Sequence, residues 1–282
     1  MRIACLPWYE LPETQAAQDS LWSILAQHLR RQGVRDVPEC LTRGLSVLGM
    51  LADPELLFGQ CCGYDLICGV AESIELVAAP RYSAPGCDGA DYRSLVLVRD
   101  DCQADSPEGL RGSLCAINSF NSHSGTNALR GLVAPFSQNG RFFSKVKVSG
   151  AHLNSLALLH SGEVDVMAMD CILYALLNRH RPRALDGTRV LCWTEPVPAP
   201  PFITSVATEP DLMAKLREAL SAALLDTASE VPTATMLLDG VEFLPLEAYS
   251  KIIDVEAAAL RYGYKELHAT TPVTLRASPP DT

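Results

Sequence analysis

The segment Phe120–Arg130, FNSHSGTNALR, sets small polar residues and a glycine directly ahead of an apolar helical pattern. The run before it, SLCAIN, reads as a strand ending near Asn118, and the helix is expected to begin near Ser124. A helix start leaves its first N–H groups unpaired and carries a partial positive charge. Ser122, Ser124, Thr126 and Asn127 add hydroxyl and amide donors, and Gly125 lets a ligand approach the backbone closely. These are the ingredients of an oxyanion site without a full positive charge. The same residue types also make an ordinary helix cap, and the residues alone leave both readings open.

Other positions are candidates to join such a site. His152 follows VSG at an expected strand-to-helix turn, where its imidazole could donate to a ligand oxygen. With an ordinary pKa of about 6.5, it would gain a proton more readily beside an anion. Asp170 closes VDVMAMD at a strand's carboxyl end, where it is equally suited to cap the helix pattern CILYALLNRH. Trp8 and Tyr9 follow the first strand after Pro7, and Tyr64 holds a similar place in CCGYDL. Aromatic residues there can form a wall for an organic group or stack on a cation. Tyr82 and Tyr92 are weaker candidates of the same kind, and His160 is assigned to no site.

Motifs for catalysis are missing. There is no P-loop, no G-x-G-x-x-G, no H-E-x-x-H and no G-x-S-x-G. Cys61–Cys62 beside Gly63 invites a nucleophile reading, but the nearest charge in sequence is Asp65, and a reactive thiol needs a positive neighbourhood. The ten cysteines form no C-x-x-C pair, so neither a zinc ribbon nor a thioredoxin-type redox site is expected, and no metal or cofactor is assigned. They read as small, buried, reduced residues, which suits the cytosol better than a secreted location.

The elements that must position these residues alternate between strand and helix along the chain. Leu21, Ile24, Leu25, His28 and Leu29 recur at helical spacing before Gly33. LLFGQ, IELVAA, YRSLVLVRD, KVKVS, RVLCWT and PPFITSVAT read as strands, and HLNSLALLHSG, PDLMAKLREALSAALLD and LEAYSKIIDVEAAALRYGY as helices. SPEGLRG is expected to open a helix, with Ser106 as cap and Pro107 at the first position. The order implies an α/β fold with mostly parallel sheets. Crossovers are expected near Arg99 and in the proline-rich TEPVPAPPF, Thr194–Phe202. They would leave a discontinuous first lobe, 1–97 with 200–282, a central lobe, 98–199, and a flexible tail, 272–282.

The charge balance, 23 basic against 33 acidic residues for a net −10, disfavours nucleic acid and acidic membranes as partners. No apolar run approaches the roughly 18 residues that span a bilayer. The first residues lack the pattern of a signal peptide, so the expected location is the cytoplasm as the sequence stands, or the periplasm if a leader was removed.

With this order in place, the chain resembles the substrate-binding components of phosphate/phosphonate-type ABC transporters, within the type II periplasmic-binding-protein fold. CLPWYE, LLFGQCCGYDLICG, NSFNSHSGTNALR and GAHLNSLALLHSGEVDVMAMDC carry the likeness, and RVLCWTEPVPAPPFITS looks like the return crossover. The resemblance implies two α/β lobes joined by a hinge. It also implies a phosphate-, phosphonate- or sulfonate-like anion in the cleft between them, held as the lobes close, and no catalysis. The ligand-binding set is then Trp8, Tyr9, Tyr64, Ser122, His123, Ser124, Gly125, Thr126, Asn127, His152 and Asp170. Asp170 enters as an acidic contact, which a phosphate oxygen would repel unless a proton or an amine lay between them. That points to an anionic or zwitterionic ligand. Asn121 and His123 depart from the small residues common in the family. The partners implied are the ligand with either ABC membrane subunits or a signalling protein. The rival readings on the same fold are a cytoplasmic metabolite-converting enzyme and a ligand sensor.

Overall fold

The computed structural model describes residues 2–69, 72–265, 267 and 269–272. The chain opens with β1 (Ile3–Cys5), α1 (Gln15–Arg31), α2 (Val47–Leu51), β2 (Leu56–Gln60), β3 (Ile74–Tyr82) and β4 (Asp91–Tyr92). It continues through β5 (Ser94–Arg99), β6 (Leu114–Ile117), α3 (Ala128–Val133), β7 (Lys145–Val148), α4 (His152–His160), β8 (Val166–Asp170) and α5 (Cys171–His180). Then come β9 (Thr188–Trp193), β10 (Val197–Pro198), β11 (Phe202–Ser205) and α6 (Pro210–Leu225). The last elements are α7 (Glu230–Thr235), β12 (Leu238–Glu242), α8 (Ser250–Arg261) and β13 (Ala269–Pro272).

Two compact units emerge. The first holds the described residues up to Arg93, with Cys171–Ala184 and Pro196–Ile253. The second holds Ser94–Asp170, Leu185–Glu195 and the described residues from Asp254 onward. This differs from the sequence expectation in two places. The helix α5 belongs with the first unit, and the chain re-enters the second unit inside α8 rather than ending in the first. Neither step is marked by proline or glycine, which is why composition alone placed the crossovers elsewhere. Of the expected tail, residues 273–282 lie outside the described residues.

The first unit carries the sheet β1-β2-β11-β3-β12. β1 and β2 run parallel, while β11 lies antiparallel to both β2 and β3, and β12 antiparallel to β3. The second unit carries β13-β7-β6-β8-β5-β9. There β6 is parallel to β7 and β8, and β5 is antiparallel to β8 and β9. The sheets are therefore mixed rather than mostly parallel. In each unit an antiparallel strand that begins close after a crossing, β11 or β5, sits between strands of the other sense. An apolar run such as LLFGQ, buried at every residue, reads the same whichever way its neighbours run.

Side-chain spacing explains the packing. Leu21, Trp22, Leu25, Ala26 and Leu29 form the buried stripe of α1, which packs on α6 through that helix's own stripe of Met213, Leu216, Leu220 and Ala223. Trp22 stacks on Phe58 of β2 at 6.3 Å between ring centroids, and Phe58 meets Phe202 of β11 at 5.1 Å. At the carboxyl end of β2, the buried Gln60 amide donates to the Tyr82 hydroxyl and the Pro200 carbonyl. The second core gathers Val96, Val98, Cys115, Ile117, Leu129, Val133 and Val166 from β5, β6, α3 and β8. Ser106 makes no side-chain cap, and Pro107–Leu110 forms one short 3-10 turn where a helix was expected.

Gly63 marks where the first unit tolerates no added atom. A Cβ there would stand 2.6 Å from Ile252 Cδ1 and 3.1 Å from Tyr249 Cδ1. Tyr249 is fully buried and donates its hydroxyl to the Ala199 carbonyl at 2.9 Å, so it has little room to retreat. Gly63→Ala should lower stability by about 1–3 kcal/mol in urea unfolding. An unchanged midpoint would show that Ile252 relaxes freely.

Candidate functional site

The second unit builds the quoted segment as one wide turn. β6 delivers the chain to Asn118, and His123–Asn127 then form a single π-type turn that feeds α3. The Asn127 N–H closes it on the Ser122 carbonyl at 3.0 Å. Ser122 is the cap, its Oγ accepting from the Gly125 N–H at 3.2 Å. The Thr126 hydroxyl is also committed, donating to the Ser119 carbonyl. Two of the expected hydroxyl donors thus hold the turn together instead of facing a ligand, and the Gly125 N–H is occupied as well. The Ser124 N–H forms no hydrogen bond among the described residues. It lies at the amino end of the turn, where backbone dipoles favour an anion.

Ser124 meets His152 here. Its Oγ lies 2.9 Å from His152 Nε2, while His152 Nδ1 lies 3.1 Å from the Ala168 carbonyl of β8. A carbonyl only accepts, so Nδ1 carries the proton. In the neutral ring Nε2 then accepts from the Ser124 hydroxyl. Burial holds the His152 pKa below its ordinary value, with Asp170 and the Ala168 bond opposing that shift. Asp170, buried at the end of β8, places Oδ2 3.7 Å from the same Nε2. Ser124, His152 and Asp170 come from three separate strand-to-helix connections and meet at one point.

Gly125 is required by this closeness. An added Cβ would fall 2.1 Å from Asn118 Oδ1 and 2.9 Å from His152 Cε1. Asn118 is the residue sequence reasoning missed. Its Oδ1 is buried without a hydrogen-bond partner beside the turn, and its only sequence signal was its place as the last residue of a strand run. Two expected contacts lie elsewhere. His123 is 2% exposed, with Nδ1 3.3 Å from Asn127 Nδ2, and Asn127 Oδ1 accepts from Arg130. Arg130 is itself paired with Glu256 at 3.0 Å. His123 borders a separate cavity of about 270 Å³ between α3 and α8, lined by Leu132 and Val255. A residue at every position of a tight turn cannot face one ligand, and the side chains of 123 and 127, four apart, share the other face.

The aromatic candidates Trp8, Tyr9 and Tyr64 belong to the first unit. Trp8 and Tyr64 are half-buried after β1 and β2. Tyr9 is 7% exposed, and its ring packs edge-on against Tyr82 at 5.5 Å, which makes it a core residue of its unit. Its φ of 61° is a costly conformation for an aromatic residue. Of the cysteines, Cys40 and Cys68 are exposed, contrary to the buried expectation. Cys61 is fully buried, and burial pushes its thiol well above the ordinary range, which removes it as a nucleophile. Among the described residues no cluster of His, Cys, Asp or Glu is arranged to hold a metal ion.

Burial also drives His123 down to about 3 from an ordinary 6.5. Below 6.5 the unfolded chain takes up a proton that folded His123 refuses. Its contribution is therefore intact above that pH and is lost as pH falls toward about 3, by up to about 1.4 kcal/mol per pH unit. His152 acts in the same direction. The urea midpoint should fall between pH of about 7 and about 5, and His123→Asn should flatten that fall. An equal slope in both proteins would place the acid sensitivity elsewhere.

A family model described as ABC transporter, phosphonate, periplasmic substrate-binding protein matches residues 8–250. No curated protein matches the sequence. Solved structures do match. A binding protein component of an ABC phosphonate transporter from Pseudomonas aeruginosa aligns at a TM-score of 0.72 and 13% identity, covering 93% of this chain and 88% of that one. PhnD1 from Prochlorococcus marinus, in complex with methylphosphonate, aligns at 0.71 and 14%, covering 91% and 97%. A Xanthomonas citri protein bound to chloride ion aligns at 0.70 and 17%, covering 93% and 98%. At such identities the structural likeness is one of fold, the two-lobed periplasmic-binding-protein fold. The family match spans most of the chain, and the chain belongs to the periplasmic substrate-binding proteins of phosphonate ABC transporters.

Proposed function

We propose that the turn at Ser122–Thr126 with His152 binds the oxyanion of a phosphonate-like ligand, and that the chain hands this ligand to the membrane subunits of an ABC transporter in the periplasm without transforming it. The meeting of Ser124, His152 and Asp170 at the amino end of a turn with an open N–H at Ser124 carries the reading. Among the described residues the cradle holds no free lysine or arginine, since Arg130 is engaged by Glu256 and Asn127. That suits an anion that must be released again. The family description supports the phosphonate class, as does the methylphosphonate in PhnD1.

The proton inventory narrows the ligand. His152 Nε2 accepts in the unliganded protein, so it repels a bare oxyanion until a proton arrives. The proton comes either with a monoanionic phosphonate or by protonation of His152, whose cation Asp170 at 3.7 Å would stabilise. Ser124 then turns its hydroxyl from His152 to the ligand. The two routes give the same charge balance.

Calorimetric titration with methylphosphonate tests this. Hydrogen bonds to a charged partner are worth about 1.5–3 kcal/mol. Ser124→Ala and His152→Ala should each weaken binding by roughly ten- to a hundredfold at about 1.4 kcal/mol per decade. Affinity should decline as pH rises above neutrality, because the required proton becomes scarcer. Unchanged affinity in both variants would reduce the segment to a helix cap. Turnover of a phosphonate would favour catalysis over carriage, and fractionation of the native protein checks the location.

A further inference from the structure

The chain crosses from the first unit to the second between Arg93 and Ser94, and returns between Asp170 and Cys171. Cys171 is the first residue of α5, 1% exposed, and its N–H donates to the Arg93 carbonyl at 3.0 Å. That bond ties the residue before one crossing to the residue after the other. Cys87 reaches the same place from a turn in which its N–H closes on Ala84. Its Sγ stands 3.6 Å from Cys171 Sγ, although 84 residues separate them in sequence. Both thiols lie in the first unit, and Cys87 is half-exposed.

We propose that Cys87 and Cys171 form a reversible disulfide that restrains the two crossings. A disulfide bond is about 2.05 Å long, so the sulfurs must approach by about 1.5 Å. The turn carrying Cys87 includes Gly86 at φ 97°, a conformation glycine adopts freely, and it supplies the movement. The oxidant is a low-molecular-weight disulfide such as oxidised glutathione. The accessible Cys87 thiolate attacks one of its sulfurs, forming a mixed disulfide and releasing one glutathione thiol. Buried Cys171 then attacks the Cys87 sulfur and expels the second. The two protein thiols become one disulfide while one glutathione disulfide becomes two thiols. Exposed Cys40 and Cys68 can form mixed disulfides too, whereas Cys87 already stands 3.6 Å from a second thiol that can resolve it.

The consequence falls on Asp170, which precedes Cys171 and faces His152. Holding Cys171 to Cys87 fixes the start of α5 next to the ligand-binding carboxylate. The inference is independent of which ligand the cradle takes, because its readouts need none. Full-length protein would be incubated with oxidised glutathione, digested without reduction and mapped by mass spectrometry. A peptide joining Cys87 to Cys171 is expected, lost on dithiothreitol treatment and lacking in Cys87→Ser and Cys171→Ala. Hydrogen exchange at the Cys171 amide should slow by about tenfold in the crosslinked form. Wild-type protein carries the decisive measurement, so a poorly folding variant does not shield the proposal. Joining of Cys87 to any other cysteine would overturn it, as would thiols at 87 and 171 that persist while Cys40 and Cys68 oxidise. Unchanged exchange at Cys171 in the crosslinked protein would overturn the restraint.

Discussion

The hydrogen bond between His152 Nδ1 and the Ala168 carbonyl governs the chemistry of the site. It fixes the tautomer, and with it the direction of the bond to Ser124. It also sets the ring beside Asp170, whose carboxylate comes from the same strand two residues on. A backbone carbonyl inside a sheet cannot turn away, so the imidazole is held more firmly than a side-chain partner would hold it. His152 is consequently neutral, with Nδ1 donating to Ala168 and Nε2 accepting from Ser124.

Strand order brings these groups together. β6 lies between β7 and β8, so the connections that follow all three strands emerge at one edge of the second sheet. Parallel pairing makes this possible, because parallel neighbours end on the same side. The antiparallel strands, β5 and β11, have a different role. Each begins close after the chain has passed from one unit into the other, and each is built into the sheet it enters. These two crossings are thereby anchored by strand pairing rather than by loops, and Cys171 begins a helix at another.

Side chains within the turn divide their work according to the geometry of a single helical turn. Ser122 and Thr126 stabilise the turn, Ser124 faces His152, and His123 and Asn127 turn to Arg130. A list of suitable residue types cannot make this division, because Ser, Thr and Asn serve as caps and as ligand donors with the same atoms. Asn118 was passed over for the opposite reason: it looked like the unremarkable end of a strand, yet Gly125 brings the turn against its amide.

Alternation of short apolar runs with helical periodicity sufficed to specify an α/β chain, its element order and the location of FNSHSGTNALR between a strand and a helix. The positions of His152 and Asp170 at strand-to-helix connections were legible in the same way, since local patterns encode where elements begin and end. Strand direction and neighbour were not, because a run buried on both faces, such as LLFGQ, carries no mark of the strand beside it. Nor were the unit boundaries inside α8 and before α5, which interrupt no local pattern. The tautomer of His152, the commitment of Thr126 to Ser119 and the approach of Cys87 to Cys171 all join residues distant along the chain or opposed across a turn. Such pairings depend on which backbone group packing presents to each side chain, and only the tertiary structure makes that choice.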